Sequence, residues 1–177
     1  MASGGDRAAF FDRDGVLNLD RGYVSRWEDF TWVPGARETL RAYQDGGWRL
    51  VVATNQSGIG RGYYDQGAME ALHARMAEDL AVDGVRLDAV YFCPFHPDAA
   101  EDRWRHADHP DRKPNPGMLL RAAKDLGLDL GRSILIGDKP ADVVAAERAG
   151  ARGFLFPGGD LRTFVDMLPA DAHPEAP

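Results

Sequence analysis

The 177-residue chain predicts an α/β protein built on a doubly wound parallel sheet, on three observations. Short apolar runs recur along it, stretches with helical spacing separate them, and several runs stop abruptly at polar, glycine-containing segments. Strands covered on both faces by crossover helices look like this, because the strand interior is apolar throughout and its end opens onto a loop.

Residues 8–11 (AAFF) form the first predicted strand, ending at Asp12-Arg13-Asp14-Gly15. Residues 36–44 follow Pro34 and place Leu40 and Tyr43 on one helical face, and Gly46-Gly47 stop the helix before a second strand at 49–54. Residues 66–82 space Met69, Leu72, Met76 and Leu80 three or four apart, which predicts an amphipathic helix with a methionine stripe in the core; residues 89–92 are the next strand. From 94 to 111 the composition turns to His, Pro, Asp and Arg without periodicity, a long loop of the kind that carries function. A helix at 116–126, a strand at 133–137, a helix at 141–149 stopped by Gly150 and a strand at 153–156 complete the alternation. Residues 1–168 are expected to form one domain, and the Pro-, Ala- and Asp-rich residues 169–177 a disordered tail.

Composition narrows the function. A net charge of -7 argues against nucleic acid, whose phosphates demand surplus Lys and Arg on one face. The apolar runs are far below the roughly 20 residues of a spanning helix, so no membrane partner is expected. Cys93 is the single cysteine and the start lacks a cationic and apolar leader pattern, which together predict a cytoplasmic protein. A monomer handling a small molecule is the expectation.

Chemistry concentrates where predicted strands stop: Asp12 to Gly15, Thr54-Asn55-Gln56-Ser57 and Gly137-Asp138-Lys139-Pro140. In an open parallel sheet these ends share one crevice, although they are distant in sequence. Asp12 and Asp14, two apart on extended backbone, lean to one side while Arg13 points away. Together with Asp138 they form a hard oxygen set that suits Mg²⁺. Lys113 and Thr54 offer a positive charge and a hydroxyl donor for phosphoryl oxygens. Asp142, in the first turn of a helix begun by Pro140, is expected to brace the loop or the metal shell.

Several residues carry two readings. The run Gly58-Ile59-Gly60-Arg61-Gly62 is GxGxG rather than GxGxxG and has no acidic ribose ligand, so it reads as a flexible segment with Arg61 reaching toward substrate. Asp20, Arg21, Gly22 and Tyr23 form either a solvated loop or a substrate contact. Asn55, Gln56, Ser57, Arg112 and Lys139 are further candidates for substrate contacts. His73 is read as a surface or packing residue.

Taken in order, these motifs resemble the haloacid dehalogenase-like (HAD-like) phosphatases: DxD after the first strand, Thr after the second, a Lys opening a later helix, and GDxxxD. The resemblance implies a HAD-like sheet, with Asp12 as nucleophile and Asp14 as general acid and base. It also implies Mg²⁺ on the carboxylates of Asp12 and Asp138 and the backbone carbonyl of Asp14, and Thr54 and Lys113 on the transferring phosphoryl group. The runs DRDGVLN, ATNQSGIGRG, YFCPFHP and RKPNPGM are similar to the branch of heptose 1,7-bisphosphate 7-phosphatases and histidinol-phosphate phosphatases, which has no large cap domain. Membership would imply removal of the 7-phosphate of D-glycero-D-manno-heptose 1,7-bisphosphate, with Arg112 recognising substrate. Histidinol phosphate is the alternative substrate, and a catalytically silent metabolite-binding module the alternative class. The branch's zinc loop reads Cys-x-His then Cys-x-Cys, whereas here Phe95 and His109-Pro110-Asp111 replace most ligands. Zn²⁺ is therefore not expected unless Cys93, His96, His106 and His109 build another site; packing of Phe95 and Trp104 and proline stiffness would hold the loop.

Overall fold

The computed structural model describes residues 5–175. Its centre is a sheet of five parallel strands in the order β3-β2-β1-β4-β5, with β1 at Ala8–Phe11, β2 at Arg49–Asn55, β3 at Ala89–Cys93, β4 at Ile134–Gly137 and β5 at Arg152–Leu155. Helices α1 (Ala36–Asp45), α2 (Ser57–Gly60), α3 (Gln66–Val82), α4 (Gly117–Leu126), α5 (Pro140–Ala149) and α6 (Leu161–Asp166) connect and follow them. The doubly wound parallel fold predicted from the sequence is the one observed.

Alternation along the strands produces two cores, because successive side chains leave opposite faces of the sheet. Ala9, Phe11, Leu50, Val52, Ile134 and Ile136 pack with Leu40 and Tyr43 of α1, Met76 and Leu80 of α3 and Leu161 and Val165 of α6. Ala8, Phe10, Val51, Ala53 and Leu135 meet Met118, Leu119 and Ala122 of α4 and Ala146 of α5 on the other face. Each large apolar side chain buried in this way contributes about 1.5–3 kcal/mol.

Local signals set the helix ends. Asp65 Oδ1 accepts from Ala68 N at 2.7 Å and caps α3, while Gly127 and Gly150 take the left-handed conformation that closes α4 and α5. The short α2 and α6 were not legible as helices. Residues 169–175 also differ from the expected disordered tail: Ala172 and Pro174 are buried, and their carbonyls accept from Tyr43 Oη at 2.9 Å and Trp48 Nε1 at 3.1 Å. Two buried aromatic donors need acceptors, and the tail supplies both. Residues 176 and 177 lie outside the described residues.

The chain runs from β1 outward to β2 and β3, then returns to place β4 on the other side of β1. That reversal opens a crevice at the carboxyl ends of β1 and β4.

Candidate active site

Asp12 is the first residue beyond β1, and its N–H donates to Ile136 O of β4 at 3.0 Å, so it sits at the reversal of strand order. Its carboxylate is buried, with Oδ1 accepting from Arg13 N at 2.8 Å and lying 3.2 Å from Lys113 Nζ. Lys113 is buried too: its ammonium donates to Ala53 O at 2.7 Å and pairs with Asp142 Oδ1 at 2.6 Å. Asn55 clamps the lysine backbone from both sides, accepting from Lys113 N and donating to Lys113 O, each at 3.1 Å. The ammonium is thereby aimed across the end of β2 at Asp12.

Asp138 follows β4 and Asp142 lies in the first turn of α5, where Asp142 Oδ2 accepts from Lys139 N at 3.0 Å. Ligand oxygens of Asp12, Asp138 and Asp142 lie within 4.8 Å of one another. Small residues permit this approach. A Cβ on Gly15, whose φ is +85°, would fall 2.3 Å from Asp138 Oδ2, and one on Gly137 would fall 2.1 Å from Asp142 Cβ.

Burial pushes the Asp12 carboxyl up to about 7; Lys113 opposes the shift, and Asp142, Asp14 and Asp138 add to it. Asp138 is raised for the same first reason, with Lys139 opposing and Asp142 reinforcing. Burial would lower Lys113, but Asp12 and Asp142 outweigh it and hold the ammonium charged. The cluster thus has more carboxylate than its one buried cation neutralises. Asp138 Oδ1 is buried with no hydrogen-bond partner among the described residues. Hard oxygen ligands and uncompensated charge fit a divalent cation of the Mg²⁺ type.

Asp14 is held by three donors: Asn18 Nδ2 to Oδ1 at 3.0 Å, Gln56 Nε2 to Oδ2 at 2.9 Å, and Arg13 Nη2 to both oxygens at 3.0 Å. Arg13 therefore does not point away from Asp14, contrary to what the extended spacing predicted. Extended geometry ends at Asp12, since Leu17 N and Asn18 N both donate to Arg13 O in a tight turn that curls the guanidinium beneath Asp14. Gln56 also donates to Thr54 Oγ1 at 2.9 Å and accepts from Tyr64 Oη at 2.5 Å. His73 is not a surface residue: it is buried on α3 with Nε2 3.1 Å from Arg13 Nη1. Its signal in the sequence was a polar residue on the apolar face of α3.

A cavity of about 450 Å³ opens above this centre. Asp12, Asp14 and Lys113 form its floor side, and Asn55, Gln56 and Ser57 line it from the end of β2. Asp20, Gly22, Tyr23, Arg112 and Lys139 also face it. Thr54 and Asp138 are not part of its lining. Arg21 is exposed outside the cavity, and Arg61 turns away, with Nη2 3.0 Å from His96 Nε2. Arg112 Nη1 donates to Phe95 O at 3.2 Å, which ties the long loop to the cavity rim.

Within that loop Phe95 stacks on His109 with centroids 3.7 Å apart and meets Trp104 edge-on at 5.4 Å. Nδ1 of His96, His106 and His109 each accepts from a backbone N–H two residues on. Burial pushes the Cys93 thiol up to about 11.

A parallel sheet that gathers aspartates from two strand ends around a buried lysine has the groups that hydrolysis of phosphate esters requires. The HAD-hydrolase-like family model matches residues 111–174. A D-glycero-beta-D-manno-heptose-1,7-bisphosphate 7-phosphatase of Rhodopseudomonas palustris is 43% identical over 162 residues, covering 91% of this chain and 89% of that protein. A D-glycero-alpha-D-manno-heptose-1,7-bisphosphate 7-phosphatase of Burkholderia mallei is 46% identical over 145 residues, 82% and 76% of the respective chains. The structure of D,D-heptose 1,7-bisphosphate phosphatase from B. bronchiseptica, complexed with magnesium and phosphate, matches with a TM-score of 0.77 and 31% identity over 96% of this chain and 94% of that one. The chain belongs to the HAD-like hydrolases, in the family of the heptose-1,7-bisphosphate 7-phosphatases.

Proposed function

We propose that this chain is a Mg²⁺-dependent phosphatase that removes the 7-phosphate of D-glycero-D-manno-heptose 1,7-bisphosphate through an acyl phosphate on Asp12. The observation that carries the chemistry is the meeting of Asp12, Asp138 and Asp142 within 4.8 Å beside the Lys113 ammonium. The substrate rests on the relatives, which carry this activity in their names at 43% and 46% identity.

The carboxylates of Asp12 and Asp138 and the backbone carbonyl of Asp14 would hold Mg²⁺, since Asp142 is already engaged by Lys113 and Lys139 N–H. When bound, the ion supplies charge neutralisation that lets a carboxylate approach a phosphate. Arg13 N–H and Lys113 fix the Asp12 carboxylate, which attacks phosphorus as the ester bond to the sugar oxygen breaks. Asp14 delivers its proton to the departing alkoxide, then takes one from the water that attacks the acyl phosphate and frees Asp12. Lys113 and the Thr54 hydroxyl hold phosphoryl oxygens throughout. Ser57, Tyr23, Arg112 and Lys139 face the space left for the sugar and its second phosphate. The Phe95–His109 stack and the edge contact of Phe95 with Trp104 would hold the long loop, where most of the family's zinc ligands are replaced. Among the described residues no helix is long and apolar enough to cross a membrane, and a buried single thiol at Cys93 suits a cytoplasmic enzyme.

Phosphate release from a generic ester tests the chemistry: excess chelator should stop it and added Mg²⁺ should restore it. Undiminished release in excess chelator would overturn the metal assignment.

A further inference from the structure

We propose that His73, acting through Arg13, is the positioning residue that holds Asp14 in place for proton transfer. The inference rests on the reading of Asp14 as the proton carrier, and it adds a residue on a helix outside the strand-end motifs.

Arg13 is fully buried, so its guanidinium depends on protein partners for every donor. Nη2 donates to both Asp14 oxygens at 3.0 Å and to Val24 O at 2.6 Å, Nη1 has His73 Nε2 at 3.1 Å, and Nε has no partner among the described residues. The group is therefore pinned from two sides, Asp14 and Val24 on one and His73 on the other. Arginine only donates, so His73 Nε2 must be the acceptor and the ring proton must sit on Nδ1. Burial, and then the charge of Arg13, push His73 down to about 3, in keeping with a neutral ring.

Neutrality matters. A carboxylate in place of His73 would pair with Arg13 and draw it from Asp14, while a cation would repel it. A neutral acceptor satisfies Nη1 without competing with Asp14 for the guanidinium. The ring itself is fixed: neighbouring Met69, Leu72 and Met76 are buried, and its edge contacts Phe92 at a centroid distance of 6.4 Å. Asp14 is thus oriented by a chain of contacts running from α3 through Arg13, complementing Asn18 and Gln56 on its other side.

The test exploits leaving-group chemistry. An alkyl phosphate needs a proton on its leaving oxygen, whereas 4-nitrophenyl phosphate releases a stable phenolate without one, so the ratio of kcat/KM for the two esters reports on Asp14. Gln Oε1 can reach the place of His Nε2, and Asn falls one methylene short. His73→Asn should lower kcat/KM for the alkyl ester roughly tenfold to a hundredfold and for the aryl ester less than about threefold, and His73→Gln should recover the alkyl ester to within about threefold. Equal losses on both esters, or no loss in His73→Asn, overturn the proposal. Should His73→Asn fail to fold, Arg13→Lys keeps the charge but cannot span Asp14 and His73, and an unchanged ratio there overturns it equally. Asp14→Asn separates the two layers. If it shows no contrast between the esters, the assignment of Asp14 falls and the role of His73 with it. If it shows the contrast while His73→Asn leaves the ratio unaltered, His73 alone is excluded.

Discussion

Asp12 lies 3.2 Å from a buried ammonium, yet burial and three neighbouring carboxylates hold its carboxyl up to about 7. As the proposed nucleophile, Asp12 would need further positive charge in the cluster, and Asp138 Oδ1, buried with no hydrogen-bond partner among the described residues, fits that need. Asp12→Asn keeps the shape and removes the proposed nucleophile; turnover should fall by about 10⁴-fold or more with little change in Tm, and residual activity within tenfold of the parent would exclude Asp12. Arg112 differs from Lys113 in reach and geometry. Lys113 is buried as a point charge beside Asp12, while Arg112 presents a planar fork at the rim, tethered to Phe95 O. Arg112→Ala should therefore lower kcat/KM for the heptose bisphosphate by about tenfold or more and for a generic monoester far less, because only the bisphosphate has remote groups to lose. Equal losses on the two substrates would move Arg112 into the phosphoryl site.

Elements place these residues, and the turn after β1 does so most tightly. Gly15 combines a φ of +85° with contact against Asp138, so Gly15→Ala should displace Asp138 and weaken Mg²⁺ binding as well as turnover, at a stability loss of about 1–3 kcal/mol. Isothermal titration with Mg²⁺ reads the first effect; unchanged affinity would contradict the close packing. The long loop makes a separate prediction: Phe95→Ala removes the partner of both His109 and Trp104 and should lower stability by roughly 2–4 kcal/mol in thermal melts, with no recovery on adding Zn²⁺. The strands and the four longer helices were legible to within a residue or two at each end, because their apolar spacing and their Gly, Pro and Asp boundaries are strong local signals. Asp12, Asp14 and Asp138 were legible together because strand ends in a parallel sheet must converge, whereas Lys113, in the loop before α4, was legible only as the cation a phosphoryl site needs and through the family resemblance. Arg13, His73 and Tyr64 were not, because their positions depend on a turn and on a helix face meeting across the fold rather than on any run in the sequence. The docking of residues 169–175 was hidden for the same reason: its acceptors are backbone carbonyls, which composition does not reveal.

Across the whole molecule, the charge of the site and the stability of the fold are linked. Burial pushes the Asp12 carboxyl from its ordinary 3.8 up to about 7, so the fold retains a proton that the unfolded chain releases, and stability from this group falls as pH rises between those values. Mg²⁺ held by the carboxylate cluster would bind the folded state and oppose that loss. Added Mg²⁺ should raise Tm more at about pH 8 than at about pH 5, as read by calorimetry; an equal or reversed gain would contradict the carboxylate cluster as its site. The same sheet that gathers the carboxylates leaves a cavity of about 450 Å³ above them, room for a sugar carrying a second phosphate. The most direct test of the account follows phosphorus NMR during incubation of the protein and Mg²⁺ with D-glycero-D-manno-heptose 1,7-bisphosphate, with histidinol phosphate in a parallel reaction. A 7-phosphatase acting through Asp12 should show loss of the 7-phosphate resonance, persistence of the 1-phosphate and much slower hydrolysis of histidinol phosphate. Release of the 1-phosphate, or preference for histidinol phosphate, would contradict it.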